Sequence, residues 1–343
     1  MADPAETLLS CMTLEEKVGQ LFFVRVPTKD AAADVDTYHL GGYLLFGRDI
    51  TGQTADSLRQ TIQSYQAAAR IPLLIGVDEE GGAVVRVSAN AQLRTARFLS
   101  PQALFASGGM EAIAADTQEK DALLHSLGFN VNLAPVADVS VDSVDFIYSR
   151  TFGQDADATA RYTALVTDQM TADGMGSVLK HFPGYGNNPD THTGSAVDQR
   201  PLDTFLQQDF LPFQSGLAAG GGCTAVLVSH NVIAAVDPDL PASLSAAVHD
   251  LLRSALDFDG VVMTDDLAMD AVTACISSEY AAVLALSAGN DLLLTTDYRT
   301  QIPAVLAAVK SGALEEQTID AACLRVLRWK QALGLINGLI RAD

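Results

Sequence analysis

Long apolar runs are missing from this chain. Of its 343 residues 48% are hydrophobic and the mean hydropathy is +0.19, yet no uninterrupted apolar stretch reaches the roughly 18 residues a membrane-spanning helix needs. No membrane span is expected. Basic residues are scarce as well: 21 Lys and Arg face 42 Asp and Glu, a formal net charge of -21. A sequence-independent nucleic-acid binder gains affinity by neutralising phosphates with lysine and arginine, so nucleic acid is excluded as a partner, and any anionic ligand must find a local basic pocket. Cysteine is thin and scattered. Cys11, Cys223, Cys275 and Cys323 form no pair with metal-site spacing, which excludes a disulfide framework and reads as reduced, mostly buried thiols. The start, MADPAETLL, has no basic segment followed by an apolar core, so no secretory signal is read. The expected compartment is cytoplasmic for the chain as written, or extracellular or cell-envelope where a signal segment has been trimmed away. Linkers, repeats and low-complexity runs are absent too, so residues 1–343 read as a single catalytic domain.

What is present is a regular alternation. Thr13-Leu14-Glu15-Glu16 has the form of a capping box opening a short helix. Strands are then predicted over 22–26, 43–46, 73–77, 131–133, 177–180, 225–228, 261–263 and 291–294. Helices are predicted over 57–69, 111–127, 156–172, 202–218, 245–256, 278–287, 301–310 and 319–333. Eight strand–helix units of this kind predict an α/β fold, a single (β/α)8 TIM-type barrel. A doubly wound open sheet would show a glycine-rich phosphate turn after its first strand, whereas here the first strand runs into Pro27-Thr28-Lys29. Polar residues follow the strands far more often than they precede them. Barrel active sites lie at the carboxyl ends of the strands, so Asp78, Arg86, Asp138, Arg150, Lys180, His181, His230 and Asp265 are expected at one mouth.

The densest chemistry lies in KHFPGYGNNPDTHTG, Lys180 to Gly194. Glycine and proline make the loop shapeable, and Asp190 stands two residues from His192, where a carboxylate can orient an imidazole and stabilise its charged form. Cleaving a glycosidic bond needs one group to protonate the leaving oxygen and another to attack or stabilise the anomeric carbon. Asp265 is the candidate nucleophile. Adjacent strand residues face opposite ways, so if Asp265 keeps the parity of Val261 and Met263, Asp266 is structural; a helix-capping role for the pair is the competing reading. His192 is the candidate acid and later base, with Asp190 as its orienter. Asp78, Arg86, Arg150, Lys180 and His181 are candidate substrate-binding residues, a carboxylate accepting from vicinal hydroxyls and the cations donating to oxygens. Each could instead be a buried ion-pair member at the rim. A metal site from His181, Asp190, His192 and His230 matches no known zinc spacing, so neither metal nor organic cofactor is expected. His39, His125 and His249 read as surface or satisfied core residues.

MTLEEKVGQLFFV, GYLLFGR, DEEGGAVVR from Asp78 to Arg86, NLAPVADV, SRTFG, KHFPGYG, DTH, PASLS, FDGVVMTDDLAM and AGNDLLL together resemble the family 3 glycoside hydrolases, and more narrowly their bacterial β-N-acetylglucosaminidase branch. The resemblance runs from about Met12 to Leu335. It implies a (β/α)8 barrel and retention of configuration through a covalent glycosyl-enzyme, with Asp265 as nucleophile, the Asp190–His192 dyad as acid/base, and Asp78, Arg86, Arg150, Lys180 and His181 on the sugar. The implied partner is a small carbohydrate ending in GlcNAc, a cell-wall (peptidoglycan) fragment or a chitooligosaccharide. Two features depart from the family pattern: Tyr185 stands where a second histidine is frequent, and the loop from Gly186 to Asp190 is shorter. The β-glucosidases of the family take their acid/base from an additional domain, for which this chain has no room. A glycoside phosphorylase releasing GlcNAc-1-phosphate and a non-catalytic sugar-binding protein are the alternatives.

Overall fold

The computed structural model describes residues 3–191, 196–274 and 276–337. Its centre is a ring of eight parallel strands: β1 Phe22–Arg25, β2 Gly42–Leu45, β3 Leu74–Val77, β4 Val131–Asn132, β5 Gly176–Phe182, β6 Thr224–Val228, β7 Val262–Thr264 and β8 Leu293–Thr295. Hydrogen-bonded neighbours run in the order β8-β1-β2-β3-β4-β5-β6-β7. The ring closes where Met263 bridges Leu292, with the Thr264 amide donating to the Leu292 carbonyl at 3.1 Å and the Leu267 amide to the Leu294 carbonyl at 3.0 Å. This is the (β/α)8 barrel the alternation predicts. A separate parallel pair, Val197–Asp198 with Val232–Ile233, joins the loops after β5 and β6. No helix among the described residues is long and apolar enough to cross a membrane.

Strand parity decides what fills the barrel and what faces the helices. Phe23 points inward against β2 and β3, and a Cβ at Gly76 would come within 2.4 Å of its ring. Only glycine leaves that ring its space. Met263 pairs with Leu227 in register, and both belong with Val178 and Leu294 to the main apolar core. Their strand neighbours Leu179, Val226 and Val262 face outward into a second core with Phe210, Phe213 and Leu252. Alternation therefore turns Lys180, two residues after Val178, toward the barrel axis.

The helices Ala156–Asp173 and Phe210–Gly220 lie against each other through a threonine ladder. The hydroxyls of Thr163, Thr167 and Thr171, each four residues on, donate to the carbonyls of Pro212, Gly216 and Gly220 at 2.8, 2.8 and 2.9 Å. Gly216 and Gly220 allow this approach, since a Cβ at Gly220 would meet Thr167 Cβ at 3.0 Å and one at Gly216 would meet Thr163 Cβ at 3.4 Å.

The capping box forms as the sequence predicts: the Glu16 amide donates to Thr13 Oγ1 at 3.2 Å and the Thr13 amide to Glu16 Oε2 at 2.8 Å. Other boundaries move. The helix expected from 111 begins at Pro101, capped by Ser100, and runs to Leu127 with non-helical backbone at Gly108 and Gly109. The helix expected over 202–218 is broken by a wide π-type turn, Phe205–Asp209. Helix Ala31–Tyr38, between β1 and β2, has no counterpart in the sequence reading; its preceding residue Asp30 is left-handed and makes no side-chain cap. Cys223 and Cys323 are buried free thiols and Cys11 is exposed; Cys275 lies outside the described residues.

Candidate active site

The carboxyl ends of the strands enclose a cleft of about 600 Å³. Asp78, Arg86, Arg150, Lys180, His181 and Asp265 all line it, so six of the eight candidate residues named from sequence meet there. His192 lies outside the described residues. Asp190 is described and half-buried, but the geometry of its dyad with His192 is not.

The floor of the cleft is one connected ionic network. Lys180 Nζ donates to Asp78 Oδ1 at 2.8 Å and to Glu80 Oε1 at 2.6 Å. Arg150 grips the same Glu80 with two donors, Nε to Oε2 at 3.0 Å and Nη2 to Oε1 at 2.7 Å, the planar fork that suits guanidinium to carboxylate. Burial alone would raise the Glu80 carboxyl, but Arg150 and Lys180 outweigh it and hold Glu80 well below the usual carboxylate range. Burial works against the Lys180 and Arg150 cations too, and Asp78 and Glu80 more than offset it, so both are raised. Lys180, Arg150 and Glu80 therefore stay charged, and the network sets two basic groups against two acidic ones.

His181 extends this network. Arg150 Nη2 approaches His181 Nε2 at 3.2 Å, and because a guanidinium only donates, Nε2 is the acceptor. The ring proton then sits on Nδ1 and is donated to Asp138 Oδ2 at 2.8 Å. Asp138, 1% exposed, also accepts the amides of His181 at 3.1 Å and Tyr185 at 2.7 Å. Asp138 thus fixes one imidazole and the root of the loop after β5.

On the opposite wall, Asp265 follows β7 with the inward parity of Met263, and its Oδ1 accepts the Asp266 amide at 2.8 Å. Only one of the two aspartates was expected to look into the barrel, yet both line the cleft. The strand ends at Thr264, and past it the chain turns, so alternation no longer separates neighbours. Asp266 is nonetheless the structural member: its Oδ1 accepts the Ala268 amide at 2.9 Å and its Oδ2 accepts from Thr296 at 3.2 Å. Burial raises its carboxyl, with Asp265 adding to the effect.

His230 was expected at the mouth and is instead fully buried beneath it. Its Nδ1 lies 2.6 Å from Ser243 Oγ and its Nε2 3.0 Å from the Asp266 carbonyl, so it props the turn that carries Asp265. Among the described residues no group of three His, Cys, Asp or Glu side chains has metal-holding geometry.

Four residues went unread in the sequence. Glu80 is the hub just described. Glu79, 0% exposed, accepts the amides of Arg86, Val87 and Ser88 at 2.7, 2.7 and 3.0 Å and so fixes the loop that delivers Arg86. Tyr185, flagged only as a departure, lays its hydroxyl 2.5 Å from Thr191 Oγ1, and burial pushes that phenol up to about 12. Arg25, at the end of β1, also lines the cleft. Its parity with Phe23 was the available signal.

The sequence matches the pattern described as "Glycosyl hydrolase family 3 N terminal domain" over residues 13–329. A β-hexosaminidase of Xanthomonas campestris is 33% identical over 300 residues, 86% of this chain and 87% of that protein. A family 3 β-N-acetylglucosaminidase from a Paenibacillus species superposes with a TM-score of 0.87 at 30% identity, across 97% of this chain but only 65% of that longer one. LpqI of Mycobacterium tuberculosis superposes with a TM-score of 0.85 at 28% identity, across 95% of both chains. With the family pattern spanning nearly the whole barrel, the chain belongs to glycoside hydrolase family 3.

Proposed function

We propose that this chain is a retaining exo-β-N-acetylhexosaminidase that removes terminal GlcNAc from glycans through a covalent glycosyl-enzyme, with cell-wall fragments or chitooligosaccharides as substrates. The observation that carries the site assignment is that Asp265 and the Asp78–Lys180–Glu80–Arg150 network share one cleft. A pyranose resting on that network places its hydroxyls against Asp78, which accepts, and against Lys180, Arg150 and Arg86, which donate. Asp78, Lys180 and Arg150 are held in place through one another and Glu80 before substrate arrives, so little reorganisation accompanies binding. Asp265 faces the sugar from β7, and the Asp266 amide on its Oδ1 fixes the plane of the carboxylate.

In this reading Asp265 attacks the anomeric carbon while His192, oriented by Asp190, protonates the leaving oxygen. His192 then takes a proton from water as the water opens the glycosyl ester. An imidazole suits both half-reactions because it gives and retrieves a proton near neutral pH. The similarity to a β-hexosaminidase and a β-N-acetylglucosaminidase supports the substrate class. The test is turnover of an aryl β-GlcNAc. Activity in the unaltered chain and its abolition in Asp265→Asn are expected; an inactive parent, or an active Asp265→Asn variant, overturns the reading.

A further inference from the structure

Charge is balanced on one side of the cleft and unbalanced on the other. On the β3–β5 side Lys180 and Arg150 are matched by Asp78 and Glu80. On the β1–β2 side two guanidinium groups have no such match. The Nε atoms of Arg25 and Arg86 are buried and lack any hydrogen-bond partner, and neither arginine forms an ion pair among the described residues. A buried donor without an acceptor is costly, the more so when it carries charge. Of the acidic residues on the β7 side of the cleft, Asp266 caps its own turn through Ala268 and Thr296, and Asp265 accepts the Asp266 amide.

The two arginines flank one short turn. Arg25 lies over the Phe46 ring at 4.2 Å, a stacking that fixes the guanidinium plane and leaves its edge donors for a ligand. Arg86 passes the next residue, Gly47, its Cδ 4.0 Å from where a Cβ there would stand, an ordinary packing distance. A third guanidinium close by, Arg48, is already occupied by the Val26 carbonyl and by Asp49. In a chain of net charge -21, long-range forces repel anions, so a local pair of open cations marks a specific demand.

We propose that Arg25 binds an oxyanion next to the reacting sugar whose hydroxyls Arg86 takes: a carboxylate carried by the leaving portion of the glycoside, or free phosphate at the same place. A hydroxyl or carbonyl would satisfy a hydrogen bond there but not the charge, and the fork geometry of arginine matches a two-oxygen acceptor. Arg25 is then a specificity residue for the hydrolysis proposed above, and the inference rests on that reading.

The test compares p-carboxyphenyl β-GlcNAc with its neutral p-carboxamidophenyl counterpart, in the full chain and in Arg25→Gln and Arg25→Lys. Charge-assisted hydrogen bonds are worth roughly tenfold or more in affinity. The kcat/KM of Arg25→Gln is therefore expected to fall at least about tenfold more on the carboxylate than on the amide, with Arg25→Lys between. Titration calorimetry with inorganic phosphate reads the second source: binding to the unaltered chain that Arg25→Gln abolishes also supports the wall. Equal losses on both substrates, with no phosphate binding, overturn it. If the unaltered chain hydrolyses neither glycoside, the hydrolase reading fails, and the wall is decided by the calorimetry alone. Fluorescence of the single tryptophan, Trp329, checks that each variant is folded.

Discussion

Replacing Glu80 by glutamine tests the network that organises the cleft. Glu80 is 6% exposed and is the one carboxylate that both Arg150 and Lys180 touch. The amide keeps the shape and one acceptor oxygen, but it removes the negative charge from between two cations. Lys180 retains Asp78 at 2.8 Å, whereas Arg150 loses its only carboxylate partner among the described residues and keeps the lone pair of His181. Removing one partner of a buried pair costs about 3–5 kcal/mol, and the retained contacts place Glu80→Gln at about 3 kcal/mol. Unfolding in urea, followed by Trp329, measures this well; its Nε1 donates to the Cys223 carbonyl at 2.9 Å in the core. Activity should suffer more than stability, because a misplacement near 1 Å costs roughly 100-fold in rate. The charge interaction itself is isolated by a double-mutant cycle with Arg150→Met, for which a coupling of about 2 kcal/mol is expected. The pH dependence has a definite sign. Because the cations depress the folded-state value of Glu80, its contribution is fully present above the unfolded carboxyl range near about 4.3 and fades as pH falls below it. The stability gap between the parent and Glu80→Gln should narrow in acid. Additive single losses, or a gap that widens in acid, would refute the argument.

Two further perturbations follow from the same geometry. Tyr185→Phe removes the hydroxyl on Thr191, the residue preceding His192, while leaving the Tyr185 amide on Asp138. A stability loss of about 1 kcal/mol and a larger fall in kcat for glycosides with poor leaving groups than with good ones are expected, and steady-state kinetics across an aryl series would expose an indifferent hydroxyl. Lys330 is fully buried, donates to Gln20 Oε1 at 2.6 Å, and burial pushes its ammonium down to about 7. Its folded value lies below the unfolded one near about 10.4, so the unfolded chain binds the extra proton between these limits and stability rises with pH from about 7 to about 10. Urea midpoints from pH 6 to pH 10 should show Lys330→Met gaining on the parent most at the acid end, and equal slopes in the two proteins would contradict this.

Much of the barrel was legible because its code is local. Apolar runs such as Leu74–Val77 and residues 225–228 stop at a polar residue, Asp78 and Ser229, and the rule that sites lie at the carboxyl ends of strands then collected Asp78, Lys180, His181 and Asp265 without any knowledge of contacts. The network was not legible for a matching reason. Glu80 meets Arg150 70 residues on and Lys180 100 residues on, and nothing in DEE tells which acid turns inward once the strand has ended at Val77. His230 was misplaced by the same rule: it follows a strand, yet the chain bends so that Ser243 and the Asp266 carbonyl enclose it. Helix Ala31–Tyr38 escaped because its start lacks a side-chain cap, the local signal on which such a reading depends.

The most direct measurement is the site of covalent attachment. A fluorinated GlcNAc donor that forms the glycosyl-enzyme faster than water can open it, followed by peptide mass analysis, should place the sugar on Asp265. Attachment at Asp266 or any other residue, or release of product with inverted anomeric configuration and no adduct, would contradict the account.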